Sequence, residues 1–396
     1  MTLNPHNIRE AAERIQPKVQ EIRRHLHQHP ELSFKEHETA AYLLNLLNEA
    51  GIPTKTGYAG TGMVARIEGQ NPNSKHIALR ADMDALPIQE ANTTSYVSTN
   101  PGVMHACGHD VHSACGLGAL LVLNELKSEW SGTVTMLFQP GEELLPGGAS
   151  LMIKDGALSE DLKGIFGQHV FPDLPAGKVG FRPGMYMAST DELYFTVKGQ
   201  GGHAALPHKL KDPVLAAANL IVALQQVASR KAPAAIPTVL SIGKMEALGA
   251  TNVVPNEVKL EGTFRTMNEK WRAEAHEHIR AIAKETCAAT GVEVAVEIRK
   301  GYPFLVNDES LTAKAKAAAI ALLGEENVVD LDIRMTGEDF AYYSQHMPSC
   351  FYRLGTSGPN GTFKSPVHSS TFDIDESALT TGVSLMAWLA IDALNA

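Results

Sequence analysis

From Asn7 to about His29, apolar Ile8, Ala11, Ala12, Ile15, Val19, Ile22 and Leu26 recur at three- and four-residue spacing. That period predicts a helix, which Pro30 stops. Residues 38–50 repeat it and end at Gly51. The rhythm then changes to short apolar runs at 63–67, 77–81, 134–138 and 165–167, with helical patterns at 114–126 and 150–155. Strands alternating with helices predict an α/β fold, with a mainly parallel central sheet flanked by helices.

Between about Met187 and Lys300 the order becomes strand (193–197), helix (213–228), strand (238–245), strand (258–265), helix (269–289), strand (292–298). This is the βαββαβ order of a ferredoxin-like unit. After Asp308 the first style resumes, with a helix at 310–323, strands near 328–333 and 350–354, and a closing helix at 376–394. The simplest organisation is one α/β domain (1–186 and 301–396) interrupted by an inserted smaller domain (187–300). A chain of 396 residues agrees with two domains, at ~100–200 residues each.

Composition changes this picture only by exclusion. Lys plus Arg (34) against Asp plus Glu (44) leaves a formal charge of −10, with no basic run, so nucleic acid is not an expected partner. No apolar leader opens the chain, and no stretch is expected to reach the ~18 apolar residues of a membrane span. A cytoplasmic protein is therefore expected, with no membrane partner. Four cysteines, none in a CxxC pair, do not make a disulfide framework; Cys115, Cys287 and Cys350 sit in apolar surroundings and are expected in the core. The sixteen histidines raise the question of a metal.

In open α/β sheets, ligands bind beyond the carboxyl ends of the strands, and metal-type residues collect there. Asp82 and Asp84 follow the run at 77–81. Glu142 and Glu143 follow the run at 134–138 and a Pro-Gly turn, and His169 follows 165–167. His368 comes in a loop after the last strand, and residues 104–112 (MHACGHDVH) pack His105, Cys107, His109, Asp110 and His112 ahead of a helix. One such residue alone reads as a cap or turn; several on one sheet edge argue for cations. Adjacent carboxylates point different ways, so one of Glu142 and Glu143 can hold a cation while the other acts as general base. Cys107, as a thiolate, suits zinc or another late divalent metal.

Other signals fail their context. His25, His27 and His29 lie on a predicted helix, where 25 and 29 share a face and 27 does not. The GQGGHA stretch at 199–204 imitates a dinucleotide fingerprint, but Pro207 and Pro213 spoil the helix that must follow. HExxH, GxSxG and P-loop patterns do not occur.

Taken in order, RHLHQHPEL (24–32), RADMDALP (80–87), MHACGHD (104–110), QPGEE (139–143), GGHAA (201–205), NVVP (252–255), GTFR (262–265) and GEDF (337–340) resemble the M20 metallopeptidase family. More narrowly, they are similar to its amidohydrolase branch of N-acyl-amino-acid deacylases, hippurate hydrolases and auxin-conjugate hydrolases. The resemblance implies two divalent metal ions per chain; the Cys ligand favours zinc, with manganese, nickel or cobalt as alternatives. It implies Cys107 as bridging ligand, joined by His109, Glu143, His169 and His368. Glu142 then matches the general base and Asp82 the carboxylate that orients the site. The inserted domain matches a lid or dimerisation domain, giving a homodimer, with His203, Asn252 and Arg265 meeting the substrate and His203 stabilising the oxyanion. The implied activity is hydrolysis of the linear amide of a small N-acyl amino acid, with a dipeptidase or carboxypeptidase as the alternative. Leu144-Leu145-Pro146 departs from the small glycine-containing turn found in many relatives.

Overall fold

The computed structural model describes residues 3–395, and the chain forms two compact units. The larger comprises the described residues up to Gly184, Val306–Asp332 and the chain from Asp339 onward; the smaller comprises Met185–Leu305 and Ile333–Glu338. The short return segment at 333–338 belongs to the smaller unit, although its place in the chain predicts the larger domain.

The larger unit is built on an eight-stranded sheet. Its spatial order is Thr54–Tyr58, Gly62–Glu68, Thr133–Gln139, His76–Asp82, Leu162–Pro175, Ser349–Ser357, Val179–Phe181, Val328–Asp330. The central neighbours Thr133–Gln139, His76–Asp82, Leu162–Pro175 and Ser349–Ser357 run parallel, whereas Gly62–Glu68 pairs antiparallel with Thr133–Gln139 and with Thr54–Tyr58. The central strands are buried along most of their length, which explains why they read as unbroken apolar runs rather than alternating ones. Parallel direction matters here because it brings the carboxyl ends of four strands to one edge.

The opening helix Pro5–Gln28 starts at a capping box, in which the Asn4 side chain accepts from the His6 and Asn7 N–H groups and Asn7 reciprocates. Its apolar stripe (Ile8, Ala11, Ala12, Val19, Ile22, Leu26) is buried in the same core as the closing helix Ala378–Asn395. That closing helix corrects one expectation. At 18 residues and mean hydropathy 1.2 it is long and apolar enough to cross a membrane, yet 78% of it is buried within the fold. Trp388 Nε1 donates to Ala318 O at 3.1 Å, so even its indole is committed to the interior.

The smaller unit contains the βαββαβ module, with strands Asp191–Lys198, Thr238–Glu246, Glu257–Thr266 and Glu293–Lys300 and helices Pro213–Gln226 and Glu269–Ala289. Its antiparallel sheet has the order Thr238–Glu246, Glu257–Thr266, Asp191–Lys198, Glu293–Lys300. Leu193, Phe195 and Val197 alternate onto one face and bury against Leu220, Trp271 and Ile279 of the helices.

Candidate metal centre

One strand of the parallel set and three loops of the larger unit carry the centre. Cys107 and His109 flank Gly108, which caps the helix His109–Glu125 with φ 83°. A side chain at Gly108 would lie 2.6 Å from Val170 Cγ2, so both the left-handed backbone and the close approach require glycine. His368 also has left-handed backbone (φ 63°), and its N–H donates to Ala106 O at 2.8 Å. This bond lays the His368 loop beside the Cys107 loop. His169 lies inside the strand Leu162–Pro175, opposite Arg353, rather than beyond its end. The expected strand was too short because Gly167-Gln168-His169 breaks its apolar run.

The structure brings all five expected ligands and Glu142 together in overlapping groups. Cys107, His109 and His169 form one donor triad, Cys107, Glu143 and His368 a second, and His109, Glu142 and Glu143 a third, with the ligand atoms of each within 4.8 Å of one another. Cys107 belongs to both of the first two. Its Sγ is 3.4 Å from His169 Nε2, and Glu143 Oε1 is 3.1 Å from His368 Nε2. Glu142 Oε2 lies 4.0 Å from His109 Nε2. Cys107, His109 and His169 are buried, while the His368 side chain is 51% exposed, so the cluster opens on that side.

The chemistry of these donors fits a cation. His109 Nδ1 is 3.1 Å from Asp84 Oδ1, which leaves Nε2 buried with no hydrogen-bond partner and pointed among the donors. His169 is arranged alike, with Nδ1 2.9 Å from Val170 O and Nε2 toward Cys107. Burial, then Arg353, holds His169 well below the ordinary histidine value, leaving a neutral imidazole with a lone pair to give. For His109, burial alone would lower the value, but Asp82 and Asp84 outweigh it and push it up to about 10. Burial raises the Cys107 thiol well above its usual value, and the carboxylates of Glu143 and Glu142 raise it further. The pocket strongly favours added positive charge, which a metal would supply while converting the thiol to thiolate.

Asp82, expected to orient the site, is bound to Arg80 Nη1 and to His112 Nδ1 and stands 3.7 Å from His109 Nε2. Asp84 is the carboxylate that holds a donor histidine, and its other oxygen accepts the Glu143 N–H at 3.0 Å. His112 belongs to a geometric cluster with Asp82 and His109. Both its ring nitrogens are nevertheless engaged, Nδ1 by Asp82 and Nε2 by the Val170 N–H at 2.9 Å, so it has no lone pair for a metal. His105 is buried outside these groups, and burial lowers it to about 4.

The early histidines part as the helical face predicts. His27 is buried with its ring nitrogens on Asp110 (2.8 Å) and Glu90 (3.2 Å), while His25 stacks on Tyr42 with ring centroids 3.8 Å apart. In the 199–204 decoy, Gly202–His203 is a two-residue strand and the next helix begins only at Pro213.

The expected substrate residues all belong to the smaller unit. Pairing of Gly202–His203 with Val253–Val254 sets exposed His203 beside Asn252, whose carbonyl accepts the Ala204 N–H at 3.0 Å. Arg265 is half-buried, its Nε donates to Thr263 Oγ1 at 3.0 Å, and burial lowers its pKa. Among the described residues no carboxylate is ion-paired with it. A side chain at Gly337 would meet Thr190 Cγ2 at 2.1 Å and Arg265 Nη1 at 3.3 Å. The glycine of the GEDF segment thus answers first to Thr190, with Arg265 next to it, a link that spacing alone did not show.

Fold and site together define a hydrolase of the metal-dependent type. Residues 78–392 match the profile described as Peptidase family M20/M25/M40. The chain is 40% identical over 358 residues to the N-acetyl-L-cysteine deacetylase of Bacillus subtilis, covering 90% of this chain and 84% of that protein. It is 38% identical over 372 residues to the N-acetyldiaminopimelate deacetylase of Enterococcus faecalis, covering 92% and 95%. A solved Bacillus subtilis structure, described as a dinuclear metal-binding peptidase of the M20 family, superposes with TM-score 0.82 at 34% identity over 97% of this chain and 99% of that one. The chain belongs to peptidase family M20 and is a hydrolytic enzyme acting on amide bonds.

Proposed function

We propose that this enzyme cleaves the amide bond of N-acyl amino acids, of N-acetyl or N-benzoyl type, to a carboxylic acid and a free amino acid. The observation that carries the reading is the unpartnered, buried Nε2 of His109 among donor groups that share Cys107, with Glu142 at their side. Cys107, His109, Glu143, His169 and His368 would hold two divalent cations, with Cys107 common to both. The thiolate and imidazole donors favour zinc, with manganese, nickel and cobalt compatible. Bound there, the cations supply Lewis acidity that lowers the pKa of water and polarises an amide carbonyl.

Glu142 accepts the proton of the attacking water as it adds to the carbonyl carbon, then delivers that proton to the leaving amine. Asp84 fixes the ring orientation of His109 by holding Nδ1. In the smaller unit, which acts as lid and dimerisation domain of a homodimer, Arg265 offers a planar fork to the substrate carboxylate. Half-burial without a carboxylate partner suits it to that task. His203, of the same or a neighbouring copy, donates to the developing oxyanion, and Asn252 beside it contacts the substrate.

The second reading, a dipeptidase or carboxypeptidase with the same centre, is favoured by the peptidase description of the structural relative. Parallel assays of N-acetyl-, N-benzoyl- and longer N-acyl amino acids against dipeptides, on metal-reconstituted protein, separate the two. A higher kcat/KM for the acyl amino acids is expected; a clear preference for dipeptides would sink the deacylase reading.

A further inference from the structure

The GEDF segment at 337–340 supplies none of the five expected ligands, yet its Asp339 is fully buried and accepts hydrogen bonds on both carboxylate oxygens. Oδ1 accepts from Arg80 Nη2 and Gln139 Nε2, each at 2.8 Å. Oδ2 accepts from Gln139 Nε2 at 2.8 Å and from the Ala149 N–H at 2.9 Å. Gln139 is itself held by Arg80 Nε (2.9 Å) and by the Tyr343 hydroxyl (3.1 Å) at its Oε1. Meanwhile the main-chain N–H of Asp339 donates to Glu142 Oε1 at 3.3 Å.

These contacts share a geometry. Gln139 is the last residue of its strand, and Ala149 lies in the first turn of the helix Gly148–Lys154. Between them runs the loop 140–147, which carries Glu142 and Glu143. The loop closes tightly, because Gly148 N donates to Gly141 O at 3.0 Å and a side chain at Gly148 would sit 1.6 Å from Pro140 O. One carboxylate therefore fastens both ends of the loop, while the N–H of the same residue holds one oxygen of Glu142. The other oxygen, Oε2, is the one 4.0 Å from His109 Nε2.

We propose that Asp339 is the positioning residue for Glu142: it closes the loop that carries the base and selects which carboxylate oxygen faces the donor cluster. This rests on Glu142 being the general base, as proposed above. In this role Asp339 supplies no ligand and acts through the position of Glu142. A buried carboxylate with this many partners is expensive to leave half-satisfied, so its substitution should loosen the loop. Displacement of a catalytic group by ~1 Å is enough to cost ~10²-fold in rate.

The test is a double-mutant cycle on the metal-reconstituted full chain, reading kcat, KM and bound metal. Glu142→Gln alone tests the underlying reading; full turnover in that variant would remove the general base, whatever Asp339 does. With a slow Glu142→Gln enzyme in hand, Asp339→Asn in the otherwise native chain should lower kcat ~10- to 100-fold, with KM and metal content within about twofold of native. In the Glu142→Gln background the same change should lower the residual rate less than about twofold, because the group it acts through is already disabled. An unchanged kcat, equal losses in both backgrounds, or loss of metal would overturn the proposal. Should Asp339→Asn not fold, Tyr343→Phe removes only the hydroxyl on Gln139 and enters the same cycle. A loss of about 2- to 10-fold confined to the Glu142-containing background supports the proposal, and no loss or equal losses overturn it.

Discussion

Each unit buries a cluster of histidine and carboxylate, and the two clusters differ in how completely they are satisfied. In the smaller unit Asp191 accepts from Arg272 Nε (3.0 Å), Arg272 Nη2 (2.5 Å), His276 Nε2 (2.7 Å) and the Gly301 N–H (3.2 Å). Arg272 spends its remaining donors on Glu269 and on the carbonyls of Thr190 and Gly301. In the larger unit the donor cluster leaves His109 Nε2 unpartnered and the Cys107 thiol pushed up by burial and two carboxylates. The same residue types make a structural fastening in one place and an unfinished coordination sphere in the other. Proximity of His, Asp and Glu does not make a metal site; lone pairs left over after the protein has used its own hydrogen bonds do.

The comparison breaks first at the donors. Cys107→Ala or His109→Ala should lose bound metal and turnover together, while metal-free Cys107→Ala melts no lower than metal-free native protein; metal analysis and calorimetry check both. A marked stability loss would mean that the cluster is structural after all. Arg272→Ala should do the reverse, costing about 3–5 kcal/mol by leaving Asp191 buried and unpaired, measured by denaturant unfolding.

A smaller effect is expected one shell out. Asp84→Asn should weaken metal binding ~10- to 100-fold by loosening His109, whereas a change confined to stability would return Asp84 to a structural role. Smallest is the pH dependence of the smaller unit. Burial would raise the Asp191 carboxyl, but hydrogen bonds from His276 and Arg272 outweigh it and hold its pKa below the usual carboxylate value. Such a group contributes its full stabilisation above the unfolded value of ~3.9 and loses it as pH falls through the lower folded value. Acid unfolding followed from pH 5 to 2 should therefore be less steep in Asp191→Asn; an unchanged slope would show that Asp191 is not a source of the acid sensitivity.

Much of this was legible in the chain because the parallel strands announce their carboxyl ends, where Glu142, Glu143 and the 104–112 loop stand out as polar breaks after apolar runs. The pairing of Asp84, rather than Asp82, with His109 Nδ1 was not. Residues two apart share a face of an extended strand, so alternation cannot separate them, and the choice depends on how the helix beginning at His109 meets the strand. His169 stands out in the sequence but reads as lying past its strand, since polar residues inside a central strand resemble an end. Asp339 carried no signal beyond its motif, because its partners at 80, 139 and 149 are assembled only by the fold. The antiparallel pairing of Gly62–Glu68 was equally hidden, as a buried edge-side strand has the same apolar run in either direction.

The most direct measurement is metal content and turnover of Glu142→Gln, determined side by side with the native enzyme. A full metal complement with kcat reduced ~10²–10⁴-fold is the predicted result. Retained activity, or loss of the metals, would contradict the division of labour between Glu142 and the donors around Cys107.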